Sequence, residues 1–291
     1  MVDDIRFNSI VIAESLAQGE VKTGTFLHGR LQSLLDDLPM VPVHVFHEQL
    51  DGAEAFRKLV HEISTKVVTA GMLPILHIET HGSQEDGLWF ADESCIGWEE
   101  FCDLITPLNR VMEFRLTVVI SACFGADILT GVRLNRPAPC FAFIAPTEEI
   151  NPAEAMGRFR DMYTVMLKTL NASETFDAMT RDKLTQGALI PQTAQNWFEM
   201  LMSEYLSDHT TPKAIKDFAL RQFINERSSG NSVATMRAFK RLFKVRLPGL
   251  VEDYFETFFM LREVPGNRRR FAPLWTQMER KIATALRGHK F

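Results

Sequence analysis

LPILHIETHG, residues 73–82, and LTVVISACFG, residues 116–125, share one pattern. Each is an apolar run of strand length that leads to a reactive side chain, His81 or Cys123, with a glycine close behind. Neighbouring parallel strands end at the same edge of a buried sheet, and ligand sites form beyond that edge. The pattern therefore predicts a cleft that brings together the imidazole of His81 and the thiol of Cys123.

The flanking segments alternate between strand and helix periodicity. This alternation favours an α/β fold with a mostly parallel, doubly wound sheet and helices on both faces. Asn151, Pro152 and Glu154 together are typical of a helix start. The predicted strands are residues 7–13, 41–46, 73–81, 116–123 and 140–145, and the predicted helices are 26–37, 51–68, one opening at Trp98, a short one from Gly125, and one from Pro152 to about Leu170.

The C-terminal third differs in pattern and in charge. After Gly187, Pro191 and the polar residues 192–195 the periodicity is helical throughout, so we expect an α/β domain over 1–187 and a basic helical region over 188–291. Residues 190–291 carry 17 Lys and Arg against 10 Asp and Glu, whereas residues 1–189 carry 15 against 27. Such asymmetry can mark a surface for nucleic acid or a partner protein, or it can let the two halves attract each other.

Composition places the chain among ordinary globular proteins, with 46% hydrophobic and 24% charged residues in 291. No apolar run approaches the roughly 20 residues that span a bilayer, and the first residues lack the parts of a secretion signal. We therefore expect a cytoplasmic protein without a membrane segment. The four cysteines never form a Cys-x-x-Cys pair, and we expect Cys95, Cys102 and Cys140 to be small buried hydrophobic side chains.

Cys123 and His81 suit acyl transfer. A free thiol, with a pKa of about 8.5, is mostly protonated at neutral pH, so an attacking cysteine needs a base nearby. His81 is that base in our interpretation, and no bound cofactor is required. Glycine close to each group leaves room for a substrate backbone, and the N–H groups of Gly82 and Cys123 are the candidate donors to the oxyanion.

The segment Ser121-Ala-Cys-Phe-Gly125 resembles the pentapeptide around the caspase nucleophile, whose histidine lies roughly 50 residues upstream; here the interval is 42 residues. The order of features is more similar to the bacterial caspase-like branch called CHAT. Matching features are His81-Gly82, a hairpin over 88–98, the Cys123 motif, an apolar strand at 141–146, and a helix with Met162-Tyr163. The resemblance covers about residues 70–170.

This resemblance implies the caspase–haemoglobinase fold and a cysteine endopeptidase that acts on protein substrates. It also implies a role in bacterial signalling or antiphage defence, with a latent resting state and a regulatory protein partner that activates the enzyme. Two features depart from the family pattern: tetratricopeptide repeats are absent, and the basic helical tail matches no known pattern.

Other residues are candidates for binding. Glu79, Ser121 and Asp127 lie near the two motifs and could line a substrate pocket. In the tail, basic residues at helical spacing form a stripe that could bind an acidic partner: Arg237, Lys240, Arg241 and Lys244. The alternative is a solvated face or one docked on the acidic first domain, and nucleic acid is not the expected direct ligand.

Three alternatives remain at this point. His77, Glu79 and His81 share one face of a strand and could imitate metal ligands, although we expect no metal there. A catalytically silent scaffold that binds a partner through its basic tail would keep the same fold. A nucleic-acid-responsive module would require binding that weakens steeply with salt.

Overall fold

Nine strands form two sheets in the computed structural model, which describes residues 6–171, 174–175, 189–228 and 236–287. A six-stranded sheet has the order β2-β1-β3-β7-β8-β9, and β4, β5 and β6 form a small antiparallel sheet. The strands are β1 (Ser9–Glu14), β2 (His44–Gln49), β3 (Pro74–Glu79), β4 (His81–Ser83), β5 (Gly87–Trp89), β6 (Cys95–Ile96), β7 (Thr117–Ser121), β8 (Ala142–Pro146) and β9 (Leu189–Thr193).

The helices alternate with the strands in the first part of the chain and follow one another in the last part. A 3-10 helix occupies Gly125–Gly131, where a short helix was predicted. The α-helices are α1 (Thr23–Asp36), α2 (Ala53–Ala70), α3 (Trp98–Val111), α4 (Pro152–Thr169), α5 (Ala194–His209), α6 (Pro212–Ser228), α7 (Met236–Phe258), α8 (Pro265–Arg270) and α9 (Ala272–Arg287).

Five strands of the large sheet, from β2 to β8, are parallel, and β9 pairs with β8 in the antiparallel direction. The prediction of a mostly parallel α/β sheet followed by a helical region is therefore confirmed. The sixth strand was not predicted, because its sequence, Leu-Ile-Pro-Gln-Thr, is short and contains Pro191. Proline is tolerated there because β9 lies at the edge of the sheet.

The core of this sheet is formed by alternate strand residues. Ile10, Ile12, Ile75, Val119 and Ile144 lie in one cluster with buried side chains of α1 and α4. The intervening residues point to the opposite face, as the two-residue period of a strand requires. They are also buried, including Val11, Leu76 and Val118, and α2 packs against α3. Burial of both faces explains why these strands read as continuous apolar runs.

Strand ends differ from the predicted ones in a way that matters for the site. β3 ends at Glu79 and β7 ends at Ser121, two residues before His81 and Cys123. The chain leaves the large sheet at Thr80, whose N–H donates to Ser121 O at 3.4 Å while its hydroxyl bonds Ser15 O at 3.2 Å. His81 then opens β4 in the small sheet, which contains the predicted hairpin.

A buried carboxylate fixes the start of α1. Glu14, the last residue of β1, accepts hydrogen bonds from the N–H groups of Gly24 at 2.7 Å and Thr25 at 3.3 Å. Its other oxygen accepts from the Thr25 hydroxyl at 2.7 Å and from His47 Nε2 at 3.0 Å. A negative charge at a helix N-terminus meets unpaired N–H groups and the positive end of the helix dipole. The carboxylate therefore anchors α1 directly to the end of β1.

The predicted start of α4 is confirmed. The Asn151 side chain accepts a hydrogen bond from Glu154 N at 2.9 Å, and Pro152 occupies the first turn. This cap terminates the segment that runs from the end of β8 past the candidate site.

Contacts divide the chain into two compact units, 1–132 with 138–194, and 133–137 with 195–291. The predicted boundary at 187/188 lies outside the described residues, and β9 belongs to the first unit. In the second unit the core is aromatic, and its packed rings include Phe198, Phe255, Phe258, Phe259 and Phe271. Within the described ranges no helix is long and apolar enough to cross a membrane.

Candidate functional site

The site lies at the carboxyl edge of the large sheet. Glu14, Glu79 and Ser121 stand side by side there, because β1, β3 and β7 are parallel and these residues are paired in register. The turns that carry His81 and Cys123 begin immediately beyond Glu79 and Ser121. The fold therefore brings the two predicted motifs to one edge, as their positions in the sequence indicated.

His81 and Cys123 line the same cavity, which has a volume of about 440 Å³. The walls are largely aliphatic, and the loop between β1 and α1 contributes one side of them. The lining residues are Leu16, Gly19, Glu20, Val21, Thr23, Glu79, Thr80, His81, Ser121, Ala122, Cys123, Ile150, Pro152 and Ala155. Two of the predicted pocket residues, Glu79 and Ser121, are thus at the cavity, whereas Asp127 is not among the described residues that line it.

The backbones of the two motifs are in contact. A Cβ atom on Gly82 would overlap the main-chain oxygen of Cys123 and would lie 3.1 Å from the Ala122 Cβ. Gly82 is required here by this close approach, since any side chain would push the His81 strand away from the cysteine turn. This contact sets the spacing between the two reactive residues.

The cysteine turn is tight. Phe124 has a left-handed backbone, with φ 57°. Gly125 N donates to Ala122 O at 3.1 Å, and Phe124 N donates to Glu148 O at 3.3 Å. Those two N–H groups are engaged in holding the turn, so neither is a candidate oxyanion donor. The predicted donors Gly82 and Cys123 lie at the contact between the two motifs.

The thiol of Cys123 is partly buried and points toward the start of α4. Its Sγ lies 3.8 Å from the main-chain oxygen of Ile150, to which the thiol donates. Among the described residues no hydrogen bond joins this sulfur to the imidazole of His81. Catalytic hydrogen bonds are often long or absent before substrate binds, so this arrangement is compatible with a resting nucleophile.

The imidazole of His81 is held by Glu20 rather than by Cys123. Its Nε2 lies 2.8 Å from Oε1 of Glu20, a residue of the loop between β1 and α1. The second oxygen, Oε2, accepts the N–H of Ala17 at 2.6 Å. The carboxylate is therefore shared between its own loop and the candidate base.

Below the cavity lies a buried polar chain. Glu79 accepts from the Thr23 hydroxyl at 2.7 Å and from His77 Nε2 at 2.8 Å, and His77 Nδ1 accepts from the Tyr163 hydroxyl at 3.1 Å. Burial, reinforced by the Glu79 carboxylate, raises the pKa of Tyr163 well above its ordinary value of 10.0. Every member of the chain has a partner, so His77 and Glu79 support the strand that leads to His81.

Asp127 lies on the 3-10 helix that follows the cysteine turn. Its main chain closes the first turn of that helix, with Asp127 N donating to Phe124 O at 2.8 Å. Partial burial raises the pKa of its carboxyl above the ordinary value of 3.8. The structure therefore places Asp127 beside the cysteine turn, outside the cavity.

The cysteines differ in exposure, and one expectation was wrong. Cys102 and Cys140 are buried as predicted, but Cys95 is exposed. Cys95 lies in β6, a strand of two residues in the small sheet, where only the neighbouring Ile96 is buried. All four are free thiols.

Metal binding finds no support in the part of the chain that the structure describes, where no group of three or more His, Cys, Asp and Glu side chains could hold an ion. His77 is instead bonded to Glu79 and Tyr163, and His81 to Glu20.

The basic stripe of the tail lies on α7. Arg241 is exposed and Lys244 is half-buried, whereas the side chains of Arg237 and Lys240 lie outside the described residues. Phe239 and Phe243, on the other side of the helix, are buried. Among the described members, the basic and the aromatic side chains thus occupy different sides of α7.

Glu20 was missed by the sequence interpretation. It is an isolated acid in a loop with no motif around it, 61 residues before His81. The only signal was Gly19, which adopts φ 96° and turns the loop back toward the site.

A scan against protein-family models and a search of curated proteins found no match for this chain.

Proposed function

We propose that this chain is a cysteine endopeptidase in which Cys123 is the nucleophile and His81 the general base and acid. One observation carries the proposal: both side chains line a single cavity at the carboxyl edge of the sheet, with Gly82 packed on the Cys123 carbonyl. The resemblance of the His81-Gly82 and Ser121–Gly125 motifs to CHAT caspase-like proteases supports the same conclusion.

The reaction runs in two halves. In the first, the Cys123 sulfur attacks the scissile carbonyl carbon as its proton passes to His81, and the new oxyanion is held by the N–H groups of Gly82 and Cys123. The C–N bond then breaks as His81 gives the proton to the leaving amine, which leaves a thioester on Cys123. In the second half, His81 takes a proton from water, the hydroxide attacks the thioester, and the thiol and a carboxylic acid are released.

The resting geometry favours a latent enzyme. Because the Cys123 thiol donates to the Ile150 carbonyl, it must turn before it can give its proton to His81. We propose that a protein partner in a bacterial signalling or antiphage pathway promotes this change in the cytoplasm. We expect activation to be controlled in this way because uncontrolled proteolysis would harm the cell.

Cleavage of a proteome-derived peptide library, read by mass spectrometry, tests the proposal. The purified chain is compared with Cys123→Ala, His81→Ala and, as a matched control, Cys95→Ala, which removes an exposed thiol outside the cavity. Cuts made by the parent and by the control but lost in the two site variants would support the endopeptidase.

A parent chain that stays silent would be retested with the products of neighbouring genes added. Silence there too, with binding to one of those products retained in Cys123→Ala, would favour a scaffold instead. Cuts that persist in Cys123→Ala would exclude this cysteine as the nucleophile.

A further inference from the structure

We propose that Glu20 is a positioning residue for His81, so that the reacting unit is Glu20, His81 and Cys123 rather than a pair. The inference rests on the proposed function, because it assigns a role within the same reaction. It concerns the residue in the loop between β1 and α1 whose carboxylate bonds the imidazole at 2.8 Å.

The hydrogen bond decides which imidazole nitrogen reacts. An ionised carboxylate can only accept, so the nitrogen that faces Glu20, Nε2, carries a proton. In neutral imidazole the other nitrogen then has the free lone pair. Nδ1 of His81 is therefore the atom that takes the proton of Cys123 and later returns it to the leaving amine.

The loop is built to hold the carboxylate in place. Ala17 N donates to the second oxygen of Glu20 at 2.6 Å, and Glu20 N donates to Ala17 O at 3.2 Å. Lys22 Nζ bonds the main-chain oxygens of Leu16 and Ala17, the latter at 3.1 Å. Beyond the loop, Glu14 and Glu79 fix the first residues of α1 through Gly24 and Thr23. The carboxylate thus belongs to a braced loop although its side chain is 37% exposed.

The ionisation state of Glu20 also suits a positioning role beside His81. Partial burial opposes ionisation of Glu20, but the hydrogen bonds from His81 and the Ala17 N–H, with the charges of His81 and Lys22, lower its pKa below the ordinary value of 4.5. Glu20 is therefore ionised at neutral pH. Its negative charge therefore lies 2.8 Å from the Nε2 atom of the imidazole that receives the Cys123 proton. The other titratable groups around the cavity are Glu79 and Cys123 itself.

The test measures thiol reactivity, which requires no known substrate. Iodoacetamide is reacted with the full chain in a Cys95→Ser background, because Cys95 is exposed whereas Cys102 and Cys140 are buried. The alkylation rate of Cys123 is followed by mass spectrometry across a range of pH. The variants are Glu20→Gln, His81→Ala, and the control Glu85→Gln, which removes an exposed carboxylate from the turn between β4 and β5.

Three results would be informative. We expect His81→Ala to slow alkylation at neutral pH by about tenfold or more, and Glu20→Gln to slow it roughly three- to tenfold with a shifted pH profile, while Glu85→Gln matches the parent. If His81→Ala slows the reaction and Glu20→Gln does not, the role of Glu20 is refuted and the pair of His81 and Cys123 stands. If His81→Ala has no effect, the proposed function loses its base, and the role of Glu20 falls with it.

A second readout separates positioning from substrate binding and from folding. On any peptide that the chain cleaves, Glu20→Gln should lower kcat with little change in KM, because the residue acts through His81. A raised KM with unchanged kcat would instead identify Glu20 as a substrate contact and overturn the proposal. The melting temperature of Glu20→Gln should equal that of the parent, since the lost hydrogen bonds lie at the surface.

Discussion

Gly82 lies directly against the main-chain oxygen of Cys123, so the two motifs of the candidate site touch through their backbones. The contact leaves no space for a side chain, and Ala122 closes the position from a second side. Since Cys123 O is a backbone atom held in a tight turn, it cannot move aside as the end of a flexible side chain could.

Gly82→Ala is therefore expected to separate the motifs. We expect loss of proteolysis and a destabilisation of about 1–3 kcal/mol, the usual cost of overpacking. The matched control is Gly157→Ala in α4, where an added Cβ meets nothing within 4 Å. That change should be neutral or stabilising by up to about 1 kcal/mol, because alanine is the better helix former. Thermal unfolding and peptide cleavage measure both effects, and an active, stable Gly82→Ala protein would contradict the steric argument.

Glu79→Gln tests the buried polar chain under the cavity. The carboxylate accepts from both Thr23 and His77, and an amide cannot accept at both of its ends. We expect a loss of about 1–3 kcal/mol, the cost of a buried polar group left without its partner. Hydrogen exchange of the β3 amides measures it locally. The control is Glu62→Gln, at an exposed position of α2. Equal protection of the β3 amides from hydrogen exchange in the two variants would show that the buried hydrogen bonds of Glu79 add nothing to stability.

Asn151→Ala removes the cap of α4. The lost hydrogen bond to Glu154 N should cost about 1 kcal/mol. Ile150, the residue before Asn151, accepts the hydrogen bond of the Cys123 thiol through its main-chain oxygen. Loss of the cap should therefore also speed the alkylation of Cys123. Asn135→Ala, in an exposed loop, is the control for thermal unfolding. An unchanged melting temperature in Asn151→Ala would mean that Pro152 and Glu154 suffice to start the helix.

Thiol accessibility should divide the cysteines into two pairs. Cys95 and Cys123 should react with iodoacetamide in the folded protein, whereas Cys102 and Cys140 should react only when it unfolds.

Burial, and to a lesser extent the nearby Cys102, raises the pKa of Cys140 well above its ordinary value of 9.0. Above that pH the unfolded thiol loses its proton and the folded one keeps it, so stability falls as pH rises.

Peptide mapping after brief alkylation at several pH values measures this pattern. The pH-dependent part of the stability loss should diminish in Cys140→Ala, which has no thiol to titrate. Rapid labelling of Cys140 in the folded state would show that the interior opens without unfolding.

The sequence was sufficient for the five parallel strands and for bringing His81 and Cys123 to one edge of the sheet, because buried parallel strands have a strong apolar signature and end at a common edge. It was insufficient for the ends of those strands, which depend on Thr80 bonding Ser121 and Ser15 across the sheet. It could not identify Glu20, since a contact across 61 residues leaves no local pattern. The exposure of Cys95 was not predicted for a different reason: its strand of two residues is too short for its sequence to show which side chain faces the core.

Strand β9 has a practical consequence for anyone who wishes to express the first unit alone. A fragment that stops at residue 187 would omit Leu189–Thr193 and uncover the edge of β8, whose five residues are Ala-Phe-Ile-Ala-Pro. Uncovered apolar edges template pairing between molecules, so such a fragment should aggregate. A fragment extended through Ala194, whose N–H bonds Phe141 O at 2.8 Å, keeps the edge covered and is the shortest one that we would expect to stay monodisperse.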